Sequence, residues 1–100
     1  MEIIYHVTTA EAWEKARQLG FYEASSLKTE GFIHCSTANQ VDGVLHRYFK
    51  DQKNLVKLFI DISKLTHPLK FEHSPSVNED FPHIFGVINL DAVIKTEIIN

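Results

Sequence analysis

The hydrophobic periodicity of this chain changes from helical to alternating about halfway along, and that change limits the fold most. Residues 10–19 and 41–49 carry apolar side chains at the three- and four-residue spacing of an amphipathic helix. Residues 55–62 instead alternate, with one wholly apolar face, which predicts a central buried strand. Further strands are predicted over residues 2–7, 69–73, 81–88 and 92–99. Two early helices followed mainly by antiparallel strands indicate an α+β fold.

The first half repeats one unit, in which a strand runs through a capped turn into a helix. Thr8 and Glu11 form a capping box before the first helix, and Gly20 is suited to end it. Residues 31–40 form the second corner, where Thr37 and Gln40 predict the start of the second helix. Strand ends that meet helix N-termini expose free N–H groups, so we expect an anion or polarised ligand there. Residues 21–30 between the units are predicted to be a loop with a short extended piece around Tyr22.

Length and composition restrict the class of protein. One hundred residues, 44% of them hydrophobic, predict a single domain over residues 1–100. The net charge of −3 gives no electrostatic reason to expect a nucleic acid or an anionic membrane as partner. The single cysteine, Cys35, suits a reducing compartment, and no signal peptide or membrane-length apolar run is visible. We therefore expect a cytoplasmic protein, with any protein partner left open.

Six histidines are unusual for this length and direct attention to acid–base or metal chemistry. His46, His67 and His73 lie in polar surroundings, so we expect surface or structural positions for them. The other three lie in or beside apolar strands together with further polar residues, and we expect these to converge on one cleft. They group as His6 with Thr8, His34 with Ser36 and Gln40, and Glu72 with His83. The structural alternative is that the histidines bond backbone carbonyls and that Thr8 and Ser36 only cap helices.

Several familiar mechanisms lack their sequence signatures. There is no His-Glu-x-x-His helix and no Cys-x-x-Cys pair, so we expect no metal. A site built from His34, His83 and Glu72 would require tertiary convergence. Cys35 alternates away from its polar neighbours and is predicted to pack in the core. The glycine-rich phosphate loops and the Gly-x-Ser-x-Gly motif are also missing from the sequence.

Four segments resemble a bacterial domain-of-unknown-function family, number 952, over essentially the whole chain. These are Ile4-Tyr-His-Val-Thr8, Ser26-Leu27, Glu30-Gly-Phe-Ile-His-Cys-Ser36 with Gln40, and Phe81-Pro-His-Ile-Phe-Gly86. That family is grouped by fold with the ADP-ribosyltransferases, which cleave the nicotinamide–ribose bond of NAD. The resemblance implies one ADP-ribosyltransferase-like domain, a split antiparallel β-sheet with two helices in the N-terminal half. It also implies NAD or a related nucleotide as the small-molecule ligand.

The resemblance also suggests roles for individual residues. His6 and Thr8 match the first ADP-ribosyltransferase motif and would hold the ribose and the nicotinamide amide. His34 and Ser36 occupy the region where that superfamily carries a stacking tyrosine, and Glu72 would bond the ribose 2′-hydroxyl. The site expected from these matches and from the strand pattern has catalytic His6, His34, Glu72 and His83 and ligand-binding Thr8, Ser26, Ser36 and Gln40.

Three functions stay open at this point. The first is an enzyme that cleaves or transfers ADP-ribose from NAD or a related nucleotide. The second is a non-catalytic module that uses the same cleft to bind a small ligand or a protein. The third is a metal-dependent enzyme based on the histidines. Turnover of bound ligand separates the first two, and the metal content of the purified protein decides the third.

Overall fold

A computed structural model describes residues 2–100, which form three α-helices and eight strands. Every strand pair is antiparallel, so the predicted α+β class is confirmed. Within residues 2–100 no helix has the length and apolar character needed to cross a membrane. The elements in chain order are β1 (Ile3–Thr9), α1 (Ala10–Leu19), β2 (Phe21–Tyr22), α2 (Ser25–Glu30), β3 (Ile33–His34), α3 (Val41–Tyr48), β4 (Leu55–Asp61), β5 (Leu69–Ser74), β6 (Glu79–Ile84), β7 (Ile88–Asn89) and β8 (Val93–Ile98).

A backbone bridge joins the two three-stranded sheets. One sheet has the order β1-β4-β8 and the other the order β3-β6-β5, while β2 pairs with β7. Tyr5 of β1 and Ser36 exchange both backbone hydrogen bonds, with N···O distances of 2.8 and 2.7 Å. This bridge fixes the polar face of β3 beside β1. It therefore brings the two sequence corners together in space.

Strand β4 is central, as its alternation predicts, because it lies between β1 and β8. Its Leu58 and Ile60 are fully buried in the larger core, which Ala16 of α1 joins and against which Ala12 and Trp13 pack. A smaller core under α3 is built from Val7, Val41 and Leu55. Burial of apolar side chains on both sides of the first sheet is the main force that stabilises this arrangement.

The prediction of two helices is wrong, because residues predicted to be a loop contain the short helix α2. Gly31 ends it in the left-handed conformation at φ 88°, and its N–H bonds the carbonyls of Ser26 and Leu27. A six-residue helix is too short to show a clear amphipathic pattern, so local periodicity could not reveal it. The short extended piece expected around Tyr22 is present as β2.

Helix α1 has the predicted bounds, and Gly20 ends it at φ 91°. The predicted cap is wrong by one residue, because Thr9 Oγ1 accepts the hydrogen bond from the Ala12 N–H at 3.0 Å. Strand β1 runs on through Thr8, which pairs with Val56 of β4. The Thr8 side chain therefore turns into the interior instead of capping the helix.

The second corner also differs from its prediction. Helix α3 begins at Val41 instead of close to Thr37. Only half of the expected capping box forms, since Gln40 Oε1 accepts from the Thr37 N–H at 3.0 Å. The loop expected over 74–80 is shorter, because β5 extends to Ser74 and β6 begins at Glu79.

Candidate functional site

A cleft of about 520 Å³ lies where β1, β3 and β6 approach α3, a size typical of small-molecule sites. Its apolar wall comes mainly from α3 and β6. Five residues predicted for the site line this cleft, and His73 joins them. The lining includes His6, Ser26, His34, Ser36, His73, His83, Val44, Tyr48, Phe49 and Phe81.

The other three predicted residues do not line the cleft. Thr8 connects to His6 through Tyr22, and Glu72 bonds His83. Gln40 ties the start of α3 to the start of β6, since its Nε2 donates to Glu79 Oε1 at 3.2 Å and to the Asp80 carbonyl at 2.8 Å. The sequence grouped these eight residues without distinguishing the five that line the cleft from the three that do not.

A carboxylate–imidazole pair stands at the sheet face of the cleft. Glu72 Oε1 lies 2.7 Å from His83 Nδ1, because adjacent strands β5 and β6 place the two side chains diagonally on one face. The His83 side chain is 11% exposed and the Glu72 side chain 43% exposed, so the imidazole is the more enclosed partner. When His83 is neutral, Nδ1–H donates to Glu72 and the lone pair on Nε2 is left to act as a base. Within residues 2–100, Nε2 makes no hydrogen bond.

Aromatic contacts hold the His83 ring in place. Phe32 stacks on it with ring centroids 4.0 Å apart and planes 16° from parallel. His34 meets His83 edge-on at 5.1 Å, because these residues are direct partners across β3 and β6. These contacts fix the direction of Nε2.

His34 and His73 each carry a carboxylate of their own at the edge of the cleft. His34 Nε2 lies 3.0 Å from Glu30 Oε2, and His73 Nδ1 lies 3.0 Å from Asp80 Oδ1. Both imidazole side chains are 53% exposed, which favours exchange of protons with solvent. The sequence predicted a surface or structural position for His73 and missed its place beside the cleft. The feature that could have indicated this place is the pairing of His73 with Asp80 across β5 and β6, and that pairing is known only once the register of the strands is known.

The first sequence corner forms a closed polar network. His6 Nδ1 lies 2.6 Å from the His34 carbonyl oxygen, and its Nε2 lies 2.8 Å from the Tyr22 hydroxyl. The Tyr22 hydroxyl is in turn hydrogen bonded to Thr8 Oγ1 at 2.9 Å. Both ring nitrogens of His6 therefore have partners inside the protein. Tyr22, which no local pattern marks as functional, links β1 to β2.

Burial determines the protonation state of this network. Desolvation is the main cause that lowers the pKa of His6 from 6.5 to about 4, so the ring is neutral at neutral pH. A carbonyl can only accept, so Nδ1 carries the proton and Nε2 accepts from the Tyr22 hydroxyl. The remaining phenol lone pairs can then accept from the Thr8 hydroxyl. Burial also raises the pKa of Tyr22 above its ordinary value, which keeps the phenol protonated.

The remaining predicted residues have clear positions. Ser36 is buried and lines the cleft between the two sheets. The Ser26 hydroxyl donates to the Phe32 carbonyl at 2.8 Å and supports the aromatic surface. Cys35 is buried in the core as expected, and burial raises the pKa of its thiol, which disfavours the thiolate needed of a nucleophile.

Within residues 2–100, no group of three or more His, Cys, Asp and Glu side chains converges as a metal site would require. The three residues considered for a metal site, His34, His83 and Glu72, form other hydrogen bonds. Glu72 and His83 bond each other, whereas His34 bonds Glu30. Three of the four imidazoles that line the cleft, those of His34, His73 and His83, are thus each paired with a separate carboxylate.

Comparison with known proteins finds one family and one set of solved structures. The sequence model of the family described as Protein of unknown function (DUF952) matches residues 7–96. The crystal structure of protein CC0527 from Caulobacter crescentus is 28% identical, with a TM-score of 0.86 over 95% of this chain and 83% of that one. Its solution NMR structure is also 28% identical, with a TM-score of 0.82 over 97% and 84%. No curated protein matches the chain.

Proposed function

We propose that this chain, which belongs to the family described as Protein of unknown function (DUF952), is an enzyme that cleaves the nicotinamide–ribose bond of NAD or a related nucleotide. The observation that carries the proposal is the pairing of Glu72 with His83 at 2.7 Å beside a cleft of small-molecule size. A carboxylate that accepts from Nδ1 orients the imidazole and stabilises the imidazolium that forms when Nε2 takes a proton.

The reaction needs the one base that this pair provides. His83 Nε2 takes a proton from water as the water oxygen bonds the anomeric carbon of the ribose. The carbon–nitrogen bond breaks, and its electron pair stays on the nicotinamide nitrogen. Nicotinamide leaves as a neutral molecule because the pyridinium was positively charged, so no acid has to protonate it. The products are ADP-ribose and nicotinamide, and the proton passes from His83 to solvent.

The surroundings suit such a transition state. Glu72 stands behind His83 and offsets the positive charge that the imidazole gains when Nε2 takes the proton. The Tyr48 and Phe81 rings in the lining of the cleft offer an apolar surface for a flat heterocycle. The hydroxyl of Ser36 lines the same cleft and is available to hydrogen bond the ribose.

His6 and Thr8 have a supporting part in this proposal. By resemblance they would hold the ribose and the nicotinamide amide, but their polar atoms bond Tyr22 and the His34 carbonyl. The network instead fixes the backbone of His34, the direct neighbour of His83 across the sheet. Direct contact of His6 with a ligand would require the ligand to replace Tyr22.

Calorimetry and product analysis test the proposal. We expect NAD and ADP-ribose to release or absorb heat on binding, and free nicotinamide to accumulate with time when NAD is present. His83→Gln removes the base and should abolish nicotinamide release while retaining binding. His46→Gln is the matched control, because His46 is exposed on α3 and does not line the cleft. Absence of heat with both ligands at millimolar concentration would refute the proposal.

A non-catalytic binding module is the second candidate, and the closed His6–Tyr22–Thr8 network favours it. Motif residues that already satisfy each other have no free polar atoms to offer a substrate. In that case the nucleotide binds in the cleft but stays intact over hours by chromatography. Rapid release of nicotinamide would exclude this alternative.

A further inference from the structure

Strand β8 forms the outer edge of the sheet β1-β4-β8, and we propose that it joins the same strand of a second copy in an antiparallel homodimer. This inference is independent of the proposed reaction. Among residues 2–100, no strand pairs with the outer side of β8. Five of its six residues are exposed, including Ile94 at 42% and Ile98 at 81%. An exposed edge with apolar side chains is a template for pairing with another chain.

The sequence of this strand complements itself about Thr96. In a twofold antiparallel pair centred there, Lys95 lies opposite Glu97 of the partner subunit, and Ile94 lies opposite Ile98 of the partner subunit. Opposite charges and apolar pairs across two strands are both stabilising. Centring the pair on Lys95 or on Glu97 would place like charges opposite each other. Thr96 is therefore the centre that the charges select.

The direction of the backbone hydrogen bonds selects the same centre. The Ile99 N–H donates to the Leu55 carbonyl of β4 at 2.9 Å, so Ile99 faces inward. Inward and outward N–H groups alternate along a strand, which points those of Thr96 and Ile98 toward the free edge. Two facing Thr96 residues would then exchange both of their backbone hydrogen bonds. The register that the charges favour is thus one that the backbone can form.

Side chains on both faces of β8 agree with this register. Glu97 bonds Lys57 of β4 at 3.2 Å, so in the dimer it would stand between that lysine and Lys95 of the partner subunit. This gives a row of alternating charge across the joined sheets. On the opposite face Ile98, the most exposed of the large apolar side chains, would lie beside Ile94 of the partner subunit, the residue at which β8 shifts register against β4. Pairing therefore covers an apolar side chain that the single chain leaves in water.

A charge-reversal pair tests the interface and its register together. Light scattering after gel filtration should show a dimer of the native chain whose fraction rises with concentration. Lys95→Glu alone and Glu97→Lys alone place like charges opposite each other and should each shift the protein to monomer. Mixing these two variants restores both attractive pairs, so a heterodimer should form that native mass spectrometry identifies by mass.

Two controls separate the interface from effects inside the chain. Lys57→Glu breaks the ion pair within the chain without changing the residues opposite each other in the dimer, so it should weaken dimerisation less than Lys95→Glu. Thr96→Pro removes an outward N–H that β4 does not use. The variant should therefore stay folded by circular dichroism and be a monomer by light scattering. A native chain that stays monomeric over a roughly hundredfold range of concentration would overturn the proposal. So would a mixture of the two charge variants that forms no heterodimer.

Discussion

Acidification should destabilise this protein through one buried histidine, His6. Its pKa is about 4 in the folded state against 6.5 for an exposed histidine, because burial disfavours the charged ring. Well above pH 6.5 the ring is neutral in both folded and unfolded chains and adds no pH dependence. As the pH falls from 6.5 toward 4, the unfolded chain binds a proton that the folded chain does not. The free energy of unfolding must therefore fall over that interval.

The size of the effect follows from the difference between the two pKa values. One pH unit corresponds to about 1.4 kcal/mol, so the interval from 6.5 to about 4 amounts to about 3 kcal/mol. The His6 residue is only 9% exposed, so solvent screening reduces this little. A loss of this size is a substantial part of the total stability of a domain of this length.

Urea unfolding followed by Trp13 fluorescence at a series of pH values measures this loss. Other groups titrate in the same interval, so the informative quantity is the difference between the native chain and His6→Gln. Glutamine keeps an amide N–H for the His34 carbonyl and an oxygen for the Tyr22 hydroxyl, but it does not titrate. The variant should lose about 3 kcal/mol less than the native chain on acidification from pH 6.5 to 4. If the free energy of unfolding fell equally with pH in the two proteins, a neutral, buried His6 would be refuted.

Three further substitutions test the packing and the site. Tyr22→Phe removes the hydroxyl that His6 and Thr8 share and should lower the free energy of unfolding by about 2 kcal/mol in urea titrations, whereas an unchanged value would contradict the network. Gly43→Ala should raise the free energy of unfolding by about 1 kcal/mol, because the atoms nearest to an added Cβ in α3 belong to the movable end of the Arg47 side chain. A loss of stability would show that the environment of Gly43 is tighter. Glu72→Gln should slow nicotinamide release by a factor on the order of 10² with little change in KM. An unchanged rate would exclude a supporting role of Glu72 for His83 as the base.

Local patterns were sufficient for much of the fold. The bounds of α1, its termination at Gly20, and the central position of β4 all agree with expectation. Each of these depends on residues within one or two turns or on alternation within one strand. The prediction failed where tertiary contacts decide. Thr8 lies three residues before Glu11, a good capping-box partner, yet pairing of β1 with β4 carries Thr8 inward toward Tyr22.

The candidate site shows the same division. The sequence predicted that His34, Ser36 and His83 lie in one cleft, because polar residues alternate with apolar ones on their strands. It did not predict that Phe32 stacks on His83 or that His73 reaches the edge of the cleft. Those contacts depend on the register between β3, β5 and β6, which a single strand does not specify.

The sequence by itself determined which residues are polar on each strand, where α1 ends, and that the helices precede most of the strands. Only the tertiary structure decided that Glu72 supports His83 and that the Tyr22 hydroxyl is hydrogen bonded to both His6 and Thr8. The physical reason is the range of the interactions. Caps and periodicity act between residues a few positions apart, whereas a hydrogen bond between strands depends on register, and one residue of slip would turn every side chain to the other face.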